Sequence, residues 1–267
     1  MRERARTLYR QIVPSSARKR LREAIREAPI RARDISADIG DYLRQPAERL
    51  PPAALRERVG IDSGRKHFVT IGQTAFMDIA TAVEPLTKNA SFPRWLDFGC
   101  GAGRVARHAV AMQSIDLAGV DVDEEAIRWC QRHLRGSYMT INPEPPTAFA
   151  DCTFDIVYAV SVFTHFDEEP QLAWLEELRR LLRPGGLLVA TTHGPHLTYN
   201  RPDITPEKHT ELRETGFLFM KGVGDFNEDS AFHARDYLER RWGEFFRLVS
   251  FKPSGLVGYL DLAVWQR

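Results

Sequence analysis

Three cysteines (Cys100, Cys130 and Cys152) in 267 residues are too few, and too odd in number, for a disulfide framework, which points to a reducing compartment. Apolar runs are short: none approaches the roughly 18 residues a membrane-spanning helix needs. Arginines interrupt any apolar stretch of a secretory signal near the amino end. There is no metal-type Cys/His spacing, internal repeat or low-complexity tract. Net charge is scarce too, with 37 Lys+Arg against 36 Asp+Glu and a formal +1. These absences exclude collagen-like, disordered, small secreted and transmembrane classes. A composition 43% hydrophobic can bury a large core as one or two domains, so the expectation is a soluble, cytoplasmic globular protein.

What charge there is lies unevenly. Residues 1–33 carry ten Arg and one Lys against three Glu, a net +8, which leaves −7 for the other 234 residues. Such an arm suits nucleic acid, an acidic membrane surface or a transit peptide. It equally suits an ordinary amphipathic helix, because Leu8 with Ile12, and Leu21 with Ile25 and Ala28, share a helical face. Pro14, Pro29, Pro46, Pro51 and Pro52 break this preface into short helices, and a further helical pattern covers about Phe68 to Leu86.

After Pro93, short apolar runs alternate with amphipathic ones. Strands are predicted at 95–98, 116–121, 138–141, 154–160 and 187–192, with helices from about Arg104, from Asp123 and through the leucine stripe Leu172 to Leu182. Asp123 can cap its helix, and Glu124 and Glu125 favour its positive end. Five alternations imply a doubly wound parallel sheet with helices on both faces. Residues 194–231 show no sustained period, a short helix is predicted at about Ala234 to Trp242, and the chain ends in a hairpin around Pro253-Ser254-Gly255.

Asp97-Phe98-Gly99-Cys100-Gly101-Ala102-Gly103 follows a strand and opens a helix, where glycines let backbone approach a ligand. Arg104 stands where a dinucleotide fingerprint would have its last glycine, so a diphosphate is not required. Asp121 ends the next strand, where a carboxylate can accept both hydroxyls of a ribose. Cys100 reads as a packing residue, since nothing lowers its thiol pKa.

Through Leu96 to Arg104, Gly119-Val120-Asp121-Val122-Asp123, Phe154-Asp155-Ile156-Val157 and Leu182-Arg183-Pro184-Gly185-Gly186, the sequence resembles the class I S-adenosylmethionine-dependent methyltransferases. The resemblance covers residues 94–192 and, more loosely, the terminal hairpin. It implies a Rossmann-like, mostly parallel seven-stranded sheet with an antiparallel terminal hairpin, preceded by a basic helical extension over 1–60. The methyltransferase domain would then be 61–267, with 193–231 a lid or substrate insert. It also implies S-adenosyl-L-methionine as cofactor. Gly99, Gly101 and Gly103 would lie beside its methionine part, Asp97 near its amino group, Asp121 on the ribose and Ser161 alongside. Many members place an acid after the third strand for the adenine amine; here Asn142-Pro143-Glu144 occupies that stretch, and the Asn142 amide oxygen can accept the same bond.

Methyl transfer is an in-line displacement in which the protein positions the acceptor and excludes water. A hydroxyl acceptor needs a base, and the candidates are His165 and His193, which follow the fourth and fifth strands at their carboxyl ends. His233 is a more distant candidate that could simply cap a helix or face solvent. Tyr199, Phe217, Phe219, Met220 and Phe226 in the insert suit a small-molecule pocket wall or a core. The expected partner is a small-molecule acceptor, methylated on oxygen, a sugar or secondary metabolite. The basic arm keeps RNA or DNA open, although Ser161-Val162-Phe163-Thr164 lacks the Asn/Asp-Pro-Pro-aromatic tetrad of base-methylating relatives and the arm has no aromatic platform beyond Tyr9. A non-catalytic cofactor-binding module is the third reading.

Overall fold

The computed structural model describes residues 50–59, 64–87, 93–199, 201–222 and 229–267. The +8 arm, most of the expected 1–60 extension, and Phe226 lie outside these residues. Helix α1 (Ala53–Glu57) starts behind Pro51 and Pro52, where a missing backbone donor costs nothing. Helix α2 (Arg65–Thr87) buries Phe68, Gly72, Ala75, Phe76, Ile79 and Val83, three or four residues apart along one face.

The sheet begins with β1 (Arg94–Phe98), followed by the single turn α3 (Ala106–Ala109), β2 (Asp116–Asp121), α4 (Glu124–His133) and β3 (Ser137–Thr140). Then come β4 (Phe154–Ala159), α5 (Glu168–Leu181) and β5 (Leu182–Thr192). The insert supplies α6 (Pro206–Thr215), β6 (Phe217–Met220) and β7 (Ser230–His233). Helix α7 (Arg235–Arg241), β8 (Arg247–Leu256) and β9 (Leu260–Gln266) complete the fold. Strand order is β3-β2-β1-β4-β5-β9-β8, with the first five strands parallel and β9 antiparallel to both neighbours. Order reverses between β1 and β4, which puts a crevice beyond the carboxyl ends of those strands.

Strand periodicity divides the core between the two faces. Trp95, Ile156, Tyr158, Leu187 and Val189 pack with α2 on one side, whereas Leu96, Phe98, Val157, Leu188 and the α5 stripe of Trp174, Leu175, Leu178 and Leu181 pack on the other. Burying each such large apolar side chain stabilises the fold by about 1.5–3 kcal/mol. Asp123 caps α4 as its sequence suggests, accepting from the backbone N–H groups of Glu125 and Ala126.

Three expectations change. The helix expected from Arg104 is reduced to one turn, because Gly99, Gly101 and Gly103 all take positive φ and the chain turns until Val105. Pro184-Gly185-Gly186 ends α5 but lies within β5: the ladder jumps from Phe154 opposite Leu182 to Ile156 opposite Leu187, and the residues between bulge out. The described residues of 194–231 include regular elements, α6 and most of the β6–β7 pair. Helix α6 shows no period because it buries Leu212 alone.

Candidate functional site

The glycine loop is built on β2. Gly99 and Cys100 donate their backbone N–H groups to the Val120 carbonyl at 2.9 and 3.0 Å, while the Gly101 N–H donates to Asp121 Oδ2 at 2.7 Å. Asp121 Oδ1 accepts from the Asp123 N–H at 2.9 Å, so both carboxylate oxygens are aimed by backbone. Gly101 has φ +50°, and a β-carbon there would stand 2.2 Å from Val59 Cγ1. Only glycine fits that cradle. Arg58 ties the same preceding segment down by ion pairs to Asp123 at 2.7 Å and Glu125 at 2.8 Å. On the other side Gly72 of α2 rests on the loop, since a β-carbon there would lie 2.1 Å from the Arg104 carbonyl oxygen.

Asp97 lies at the buried end of the loop with 3% exposure, and Tyr158 Oη donates to its Oδ2 at 2.8 Å. Burial pushes the Asp97 carboxyl up to about 7; the Tyr158 bond acts in the opposite direction, and the Asp121 charge adds to the rise. Burial raises Asp121 as well, against its backbone donors. Arg104 is close enough for its charge to favour ionised Asp97, and its buried Nε has no hydrogen-bond partner. A buried carboxylate next to a glycine cradle, with a second one 24 positions later at the neighbouring strand end, fits a ligand that carries an ammonium at one end and a ribose at the other.

Beyond β4 and β5 the insert organises the histidines. His165 Nδ1 donates to the Asp229 carbonyl at 2.8 Å, which leaves its Nε2 as the lone-pair nitrogen. His193 forms an isolated bridge with Phe232, its ring centroid 5.3 Å from the Phe232 ring, and its buried Nδ1 has no hydrogen-bond partner. Burial draws His193 down to about 4, with His165, Arg201 and His196 adding in the same direction; burial also lowers His165. Both imidazoles are therefore neutral at pH 7. Strand β7 thus spans the two strand ends: Asp229 just before it holds His165, Ser230 meets Arg201, and Phe232 backs His193.

His233 is neither a cap nor solvent-facing. It is fully buried, and its Nε2 pairs with Gln171 Oε1 at 3.0 Å while Gln171 Nε2 donates to the Phe166 carbonyl at 2.8 Å. That amide orientation makes His233 Nε2 the donor, and burial pulls the ring down to about 3. Ser161 adopts φ +59°, strained for a side chain other than glycine, with its N–H on Thr191 Oγ1 at 2.8 Å. Asn142 is exposed after β3. Of the insert aromatics, Phe217 stacks on Tyr237 and joins the core, whereas Tyr199 is 75% exposed against His209. Sequence reasoning passed over Tyr158 and Arg201. The signal for Tyr158 was a phenol in a buried strand, which must find a polar partner; nothing in the sequence marked Arg201.

Residues 96–190 match a family model described as a methyltransferase domain. A phthiotriol/phenolphthiotriol dimycocerosates methyltransferase of Mycobacterium ulcerans is 30% identical over 231 residues, covering 83% of this chain and 78% of the relative. A ubiquinone biosynthesis O-methyltransferase of Cereibacter sphaeroides is 35% identical over 103 residues, which span 37% of this chain and 40% of that one. Among solved structures, a SAM-dependent methyltransferase of Methanosarcina mazei aligns over 68% of this chain and 97% of its own, with TM-score 0.54 and 19% identity. The glycopeptide N-methyltransferase MtfA, solved with S-adenosyl-L-homocysteine, aligns over 73% and 89% with TM-score 0.53 and 13% identity. The solved structures speak for the fold; the M. ulcerans relative extends the likeness over most of both chains. With the 3-2-1-4-5 sheet and the glycine cradle, that likeness establishes that the chain belongs to the class I S-adenosylmethionine-dependent methyltransferases.

Proposed function

We propose that this methyltransferase acts on a hydroxyl oxygen of a small molecule, a sugar or a secondary metabolite, held beyond the carboxyl ends of β4 and β5. The observation that carries the reading is His165: its Nδ1 proton is committed to the Asp229 carbonyl, so Nε2 is free to take a proton. The bound cofactor supplies a methyl carbon made electrophilic by its sulfonium. The acceptor oxygen would take that methyl group in exchange for its proton, which would pass to Nε2 of His165. His193, neutral and with Nδ1 unpartnered, is the second base candidate.

For the cofactor, the reading assigns Asp97 to the ammonium, Gly99, Gly101 and Gly103 to the methionine cradle, Asp121 to the ribose diol, Asn142 to the adenine amine and Ser161 to the adjoining wall. It treats residues 1–60 as an extension and 61–267 as the methyltransferase domain, with 193–231 selecting the acceptor. The crossing of β7 over both strand ends supports that last role. Three free cysteines support a cytoplasmic, reducing location, and among the described residues no helix is long and apolar enough to cross a membrane. Names of relatives that include O-methyltransferase favour oxygen. The test uses methyl-labelled cofactor with hydroxylated small molecules, their amine isosteres and RNA. Label on hydroxyl compounds, each gaining one CH2, is the expected result; label on amines or RNA alone would overturn it.

A further inference from the structure

The cluster that β7 gathers contains one strongly basic group with no role so far. Arg201 lies over the Phe232 ring, its Cζ 5.5 Å from the centroid, and His193 approaches the same ring at 5.3 Å. Tyr259 is 6.4 Å from His193 and half exposed. One edge of the guanidinium is occupied, Nε and Nη2 donating to Asp203 at 2.9 and 2.5 Å. The remaining nitrogen, Nη1, makes a contact of 3.4 Å with Ser230 Oγ, at the long limit for a hydrogen bond.

Asp203 faces both Arg201 and Lys208, each of which lowers its pKa, so one carboxylate answers two cations. Lys208 Nζ reaches the Asp203 carbonyl at 3.4 Å, which keeps that charge in place. His165 and His193 stand nearby as neutral imidazoles, and the other carboxylates of the neighbourhood are committed, Asp261 facing His196 at 3.8 Å and Asp229 accepting from the Gly222 N–H at 2.7 Å. A cation fixed against an aromatic ring, with Nη1 held only by one long contact, is what a planar anion requires.

We propose that Arg201, seated on the buried Phe232 ring, is a receptor for a carboxylate carried by the methyl acceptor, so that the substrates of this enzyme are hydroxy acids with an apolar or aromatic body. Asp203 holds the guanidinium fork in place so that Nη1 faces the acceptor. The inference rests on the reading that the acceptor lies beside His165 and His193, and it narrows that reading from hydroxyl compounds in general to anionic ones. The receptor places the acid end, which leaves the hydroxyl for the imidazoles.

The probe is benzoate, titrated by calorimetry into the full chain saturated with S-adenosyl-L-homocysteine, with benzamide as the neutral isostere and phenyl phosphate as the alternative anion. Benzoate should bind about tenfold or more tightly than benzamide, as expected for one charge-assisted bond, and more tightly than phenyl phosphate. Arg201→Gln should remove the preference while leaving S-adenosyl-L-homocysteine affinity unchanged, and Arg201→Lys should restore part of it. Equal binding of benzoate and benzamide, tighter binding of phenyl phosphate, or an unchanged preference in Arg201→Gln would overturn the receptor, whatever acceptor is methylated. If benzoate binding depends on Arg201 yet hydroxybenzoates are never labelled, the receptor stands and the hydroxyl reading falls.

Discussion

Tyr158 and Asp97 sit opposite each other in the β1–β4 register, and the phenol donates to the carboxylate at 2.8 Å with both side chains buried. Parallel neighbours on one sheet face converge, so the bond follows from the register as much as from the residues. It offsets part of the burial cost that otherwise holds a proton on Asp97.

Cofactor affinity should therefore depend on pH. Asp97 is raised to about 7, so below that value it is protonated and a cationic ammonium must displace the proton. Binding measured by calorimetry should weaken by up to about tenfold per unit as pH falls below 7, with proton release that varies between buffers. Asp97→Asn should bind weakly and lose the pH dependence.

Tyr158→Phe removes the donor and keeps the ring, which packs against Trp95 at 6.2 Å. Asp97 should then titrate at higher pH, and the acid limb of cofactor affinity should move the same way. Loss of affinity with no movement of that limb would assign Tyr158 to packing alone.

His165→Gln should lower kcat by about 100-fold or more, while cofactor affinity stays within about twofold. Because burial lowers the His165 pKa, activity should persist into pH values where an ordinary imidazole is charged and fail only below them. His193→Gln tests the second candidate, and full activity in both variants would remove the histidines from the chemistry.

Acid should destabilise the fold through His193 and His233, drawn down to about 4 and about 3. Unfolded imidazoles bind protons near pH 6.5, so between there and the folded values the unfolded state binds more protons and stability falls with falling pH. Urea midpoints at pH 7 and pH 5 should differ, and His233→Gln should narrow the difference.

Gly72→Ala places a β-carbon 2.1 Å from the Arg104 carbonyl, and backbone cannot swing aside as a side chain can. The expected loss is about 1–3 kcal/mol of stability, read as a lower urea midpoint. An unchanged midpoint would mean that α2 does not press on the glycine loop.

The sheet was legible because its strands bury both faces: Phe154 to Ala159 is buried throughout and apolar but for Asp155 and the Tyr158 hydroxyl, and Asp97 and Asp121 mark strand ends by their polarity. The insert was not. Helix α6 turns one leucine inward, and β6 and β7 are four residues each, too short for any period to show. His233 looked like a surface residue because its partner, Gln171, lies 62 positions away. Arg201 had no local pattern, since what distinguishes it is Phe232 beneath and Ser230 beside it, both on a strand 29 or more residues later.

Strand β7 and the residue just before it touch three separate groups: Asp229 accepts from His165, Ser230 meets Arg201 and Phe232 backs His193. On the proposed function, specificity and proton handling would therefore not be separable modules. A graft of another enzyme's insert would replace the residue that sets the His165 tautomer along with those that grip the substrate, and single changes of acceptor preference should carry a rate penalty unless the strand is exchanged whole. Diversification of acceptors on this scaffold would proceed by segment replacement more readily than by point substitution.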